Sequence, residues 1–161
     1  MDLRRFRHQA SVTVAAPPER VWARVTDLAR MGDASPVCTG CDWDDPETGF
    51  AEGAWFTGHN ADGARTWSSR CEVVDVEPGR SFAFVNHGGG DLDLVRWGYE
   101  VEPHADGTRL TESWAVLDDY PGFVTTNFPE IDLGERLADR ERAAHEGIAA
   151  TLGAIKRELE G

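Results

Sequence analysis

No apolar run in the 161 residues approaches the roughly 20 needed to span a bilayer, so stable membrane insertion is not expected. Basic residues are few: 16 Lys and Arg stand against 29 Asp and Glu, giving a net charge of −13. Nucleic acids and anionic membrane surfaces need a basic footprint, so neither is an expected partner. The arginines of Met1 to Gln9 are followed by no apolar h-region, so this end does not read as a secretory signal and cytoplasmic residence is expected. Three cysteines are too few, and an odd number, for a disulfide framework. Cys38 and Cys41 have C-x-x-C spacing, but they follow Pro36 and lead into a strand-like segment instead of opening a helix. They read as ordinary thiols, since a structural zinc would need further ligands that no motif supplies. Gly88-Gly89-Gly90 leads into a strand and lacks the helix N-terminus of a phosphate loop. With no nucleophile elbow, Ser/His/Asp order or two-His zinc helix, neither metal nor cofactor is expected.

What is present is an ordinary globular composition, 40% hydrophobic and 28% charged, in one expected domain over residues 1–161. Residues 7–15 alternate and are β-prone. Pro17-Pro18 then start an amphipathic helix carrying Val21, Trp22, Val25 and Leu28, and a second short helix from Ala29 is interrupted by Gly32 and Pro36. Strands follow at about 37–44, 54–60, 66–77, 81–87, 94–103 and 108–117. Turn residues separate them: Asp45-Pro46, Asp62-Gly63, Pro78-Gly79, Gly88 to Gly90 and Asp106-Gly107. Such short connections imply an antiparallel meander. Residues 118–133 read as an aromatic loop lying on something apolar. Asp132, with Glu135 three positions on, caps a last helix over about 134–159, whose single stripe is Leu137, Ala144, Ile148, Leu152, Ile155 and Leu159.

The strands repeatedly place rings on one face. Phe56, Phe82, Phe84 and Tyr99 fall on alternating positions, together with Trp67, Trp97 and Trp114. One helix with one apolar stripe cannot fill a sheet that wide, so a hollow walled by these rings is expected. Trp55 and His59 fall on the opposite face and are left out of it. Glu112 shares the face of Leu110 and Trp114, where lost hydration would raise its pKa toward that of a general acid or base. The alternative is a structural carboxylate paired with Arg70, Arg96 or a backbone group, or one left at the wet end of the sheet. Asn60 shares the face of Phe56 and Gly58 and can offer a donor and an acceptor, or it can simply begin its turn. Asn86 carries the same ambiguity. Tyr120, Phe123 and Phe128 supply a lid.

The order β-α-α-β-β-β-β-β-β-α, with Val12 to Trp22, Gly53 to Asn60, Trp67, Val73 to Gly79, Trp97-Gly98-Tyr99 and Gly107 to Glu112, resembles the START-like (SRPBCC) superfamily, and within it the polyketide cyclase/dehydrase and lipid-transport subgroup. The likeness covers nearly the whole chain. It implies an α+β helix-grip fold, in which a seven-stranded antiparallel sheet wraps around the long C-terminal helix. It also implies a hydrophobic small-molecule ligand, and a monomer or homodimer is expected. Binding of a polyketide, lipid or similar metabolite is the first expectation. The alternative is a polyketide cyclase or dehydratase, with Glu112 as proton carrier and Asn60 as carbonyl donor. A third possibility is a stress- or resistance-associated partner protein whose cavity is incidental.

Overall fold

The computed structural model describes residues 1–161. Its elements run β1 (Arg7–Val14), α1 (Pro18–Val25), a 3₁₀ turn (Leu28–Arg30), α2 (Met31–Ala34), β2 (Cys38–Trp43), β3 (Trp55–Asp62) and β4 (Arg65–Glu77). Then come β5 (Ser81–Asn86), β6 (Val95–His104), β7 (Gly107–Val116), α3 (Tyr120–Asn127) and α4 (Leu133–Glu160). All seven strands form one antiparallel sheet in the order β1-β7-β6-β5-β4-β3-β2. The turn residues do what their chemistry dictates, Gly63 and Gly79 taking φ of 63° and 78° in two of the hairpins. β1 closes on β7, pairing Arg7 with Ala115 and Val14 with Thr108. This is the helix-grip arrangement.

Two register shifts bend the sheet, one in β2 between Cys38 and Gly40 and one in β4 between Val73 and Asp75. The concave face receives α4. Asp132 caps that helix, its carboxylate accepting from the Glu135 amide at 2.9 Å. Leu137, Ile148 and Leu152 are at most 1% exposed, each burial contributing roughly 1.5–3 kcal/mol as an upper bound. The helix lies along β1 and β7: His8 stacks on His145 at 3.6 Å, and Lys156 donates to the Thr13 carbonyl. Its far end is pinned to α1 and the 3₁₀ turn, where Glu158 takes Arg24 at 2.7 Å and Arg30 at 2.6 Å. No helix is long and apolar enough to cross a membrane.

Residues 118–133 are not a loop throughout, because Tyr120–Asn127 is helical. Pro121 and Gly122 have the composition of a turn, yet proline in a helix's first turn loses no hydrogen bond. Tyr120 and Val124 of this helix are buried.

The β6–β7 turn also has to meet the end of β1. A Cβ on Gly107 would strike the Val14 carbonyl oxygen, whereas one on Gly89 meets open space. Gly107→Ala is expected to lower the melting temperature by roughly 3–10 °C, with Gly89→Ala close to wild type. Equal melting of the two variants would contradict the close approach.

Candidate functional site

Because α4 follows β1 and β7, the central strands face it across a gap. The gap is a cavity of about 460 Å³, within the size range of small-molecule pockets. The helix contributes small residues to it (Ala143, Ala144, Gly147 and Thr151), so the sheet's rings meet little on the other side. Phe56, Phe84, Trp97, Tyr99 and Trp114 line the sheet wall. Trp67 and Asn60, cross-strand partners, border it nearer one end. Tyr120, Phe123 and Phe128, in and after α3, close a side.

Phe82 does not border the cavity. It points to the same face, but Phe50 at 4.2 Å, Trp22 at 5.8 Å and Tyr99 at 5.4 Å enclose it in solid core. Strand alternation cannot foresee this, since α1 and the 44–54 connection bring those covering rings from elsewhere. Trp55 lies on the outer face against His87 at 5.0 Å, and His59 points outward to Asp42 at 2.9 Å.

Glu112 is 5% exposed and lies between Leu110 and Trp114 on the inner side of β7. Neither arginine that could have paired with it does so. Arg70 forms a two-point pair with Asp44 at 2.7 Å, and Arg96 reaches Asp75 at 3.7 Å. Glu112 Oε1 has no hydrogen-bond partner at all. Burial pushes the carboxyl up to about 8, and the hydroxyl of Tyr99, its cross-strand neighbour, draws it partly back. Burial and Glu112 together push the Tyr99 hydroxyl well above its usual value. At neutral pH the site therefore presents an uncharged acid, able to donate a hydrogen bond or a proton.

The other polar groups differ in how far they are already engaged. Asn60 reaches Ser69 only at 3.5 Å, whereas Asn86 accepts from the Gly88 amide at 2.7 Å and so serves its turn. Cys38 and Cys41 also border the cavity, their sulfurs 3.6 Å apart; Cys41 as donor holds the Cys38 thiol below its usual value. Arg136 and Arg140 line the cavity too, and the sequence reading missed them. A signal for Arg140 was there: it fills the gap in the apolar stripe between Leu137 and Ala144, three after one and four before the other.

The raised carboxyl has a measurable consequence. From the ordinary glutamate value of 4.5 up to about 8, the folded state holds a proton on Glu112 that the unfolded chain has released. This group therefore costs stability as pH rises through that window, and costs no more above it. Glu112→Gln removes the titration. Its stability relative to wild type is expected to rise by about 1.4 kcal/mol per pH unit between pH 5 and 8, then level off. Denaturant melts of both proteins across pH check this, and a pH-independent difference would show that Glu112 is not buried as described.

Residues 5–160 match the family described as polyketide cyclase / dehydrase and lipid transport. The fold is similar to the solution structure of a Polyketide_cyc-like protein from Corynebacterium glutamicum, at 39% identity and a TM-score of 0.70, over 96% of this chain and 91% of that one. It is also similar to two crystal structures of di-domain ARO/CYC proteins. StfQ, from the steffimycin biosynthetic pathway, is 12% identical, and BexL, from the BE-7585A pathway, 17%. Both superpose with a TM-score of 0.71, over 96% of this chain and 50% of theirs. At these identities the likeness to StfQ and BexL is one of fold. No curated protein matches the chain. With its full set of strands and its long helix inside the matched span, the chain belongs to the polyketide cyclase/dehydrase and lipid transport family of the START-like superfamily.

Proposed function

We propose that the protein binds a hydrophobic small molecule, of polyketide or lipid type, in the cavity between the sheet and α4. The observation that carries this reading is a space of about 460 Å³ walled by aromatic rings and left open by the small residues of α4. An apolar body would gain about 25 cal/mol for each Å² removed from water, with Glu112, Tyr99 and Asn60 orienting its polar groups. Phe123 and Phe128 would cover one side.

The test uses two tryptophans on opposite faces of the sheet. An apolar fluorescent dye is expected to bind saturably and to change tryptophan emission. Trp67→Ala is expected to weaken binding by about tenfold and Trp55→Ala by less than about twofold, the loss of one stacking wall. Equal weakening by both would overturn the assignment of the cavity.

A second reading is favoured by the protonated Glu112. In a cyclase or dehydratase acting on a poly-β-ketone-derived hydroxyl compound, the acid would give its proton to the departing hydroxyl, releasing water as the C–O bond breaks. The resulting carboxylate would take a proton from the adjacent carbon, forming the double bond and restoring the acid. StfQ and BexL, described as ARO/CYC proteins, support this reading at the level of fold. Glu112→Gln is then expected to keep dye affinity within about twofold while losing at least about a hundredfold in turnover. Turnover retained in that variant would remove Glu112 as the proton carrier.

A further inference from the structure

Three buried side-chain nitrogen or oxygen atoms lack a hydrogen-bond partner: Glu112 Oε1, Arg136 Nε and Arg140 Nε. All three residues border the same cavity. Buried polar atoms are nearly always satisfied, so an unpaired set converging on one space marks where a bound molecule would supply the partners.

The acid and the two arginines are far apart. The stacking of His8 on His145, and the bond from Lys156 to the Thr13 carbonyl, set β1 alongside α4. Ala10, the strand partner of Glu112, thus stands beside about residue 149 of the helix, so at about 1.5 Å per residue Arg140 lies about 14 Å further along. Arg65, which is exposed and holds its guanidinium 4.6 Å over the Trp67 ring, is close enough for its charge to bear on Arg140. The arginine end is therefore the solvent side of the cavity.

The placement of these arginines is unfavourable without a ligand. The chain has 29 acidic residues, yet none forms a salt bridge with Arg65, Arg136 or Arg140. Asp139, beside Arg140 in sequence, is taken by Arg142 at 2.9 Å. Arg136 also sits in the first turn of α4, at the end where the helix dipole disfavours cations. Burial and the Arg136 charge push the Arg140 guanidinium down, against a weaker pull from Tyr120 and Asp139. Glu112 forms no ion pair with either arginine.

We infer that the solvent end of the cavity is an oxyanion subsite, in which Arg136 and Arg140 hold a carboxylate or phosphate group of the ligand while its apolar body runs inward along the rings toward Glu112. The inference rests on the ligand-binding reading and narrows the ligand to an amphipathic anion. Guanidinium is the group suited to it, since its planar fork pairs with two oxygens at once.

Three probes with one aromatic body test it: 2-naphthoate, 2-naphthyl phosphate and the uncharged 2-acetonaphthone, titrated calorimetrically into the full chain. At least one oxyanion is expected to bind about tenfold tighter than the ketone, and which one does so separates carboxylate from phosphate. In the double variant Arg136→Gln/Arg140→Gln this preference is expected to fall below about threefold, with ketone affinity held within about twofold. The single variant Arg140→Gln, expected to lose part of the preference, serves if the double variant does not fold. Ketone binding as tight as both oxyanions in wild type, or a preference undiminished in the variants, would overturn the subsite and leave the cavity reading standing. Binding of none of the three would remove both.

Discussion

The course of α4 along β1 and β7 is the constraint on which the rest of the molecule depends. A helix about 10 Å wide, held to one side of a curved sheet of seven strands, leaves the central strands without a packing partner. Chain ends and ion pairs keep it there: the Arg24–Glu158–Arg30 cluster fixes one end, and the Asp132 cap starts the other. The small residues Ala144 and Gly147 on the inner face then decide that the space stays open. Where larger groups do arrive, as Phe50 and Trp22 do over Phe82, the same sheet face becomes ordinary core.

The open space sets the electrostatics. A carboxyl between Leu110 and Trp114 with no cationic partner holds its proton near neutral pH, so it enters the apolar wall without an isolated charge. The arginines meet the opposite condition, since guanidinium cannot shed its proton and must be partnered or solvated. One end of the cavity is thus an uncharged hydrogen-bonding acid and the other is cationic, within a chain whose net charge is −13. An elongated ligand with two chemically different ends fits that distribution, and cyclase chemistry at the acid end is compatible with it.

Much of this is legible in the sequence. Alternation in β7 put Glu112 among the inward residues, and the burial of Leu110, Glu112 and Trp114 follows that period. Alternation likewise put Trp55 and His59 outside. The Asp132–Glu135 cap was readable because it is a contact between residues three apart. Helix α3 was not readable, because Pro121 and Gly122 are equally at home in a turn and in a helix's first turn. Arg136 and Arg140 are harder to read, because a cation interrupting an apolar stripe has the composition of a surface residue.

The sequence by itself determined the elements, their antiparallel order and the face on which each strand residue stands. Those properties follow from periods of 2 and 3.6 residues and from turn and cap chemistry acting over a few positions. Only the tertiary structure decided which inward residues border empty space and which are packed, and which charges find partners. Phe82 and Phe84 are two apart on one strand face, yet Phe50 encloses the first while the second borders the cavity. Arg70 and Glu112 were equally free to pair in the sequence, but the pleat sends one outward to Asp44 and the other inward to none. Such outcomes depend on which distant segments arrive at a point in space, and no local period carries that information.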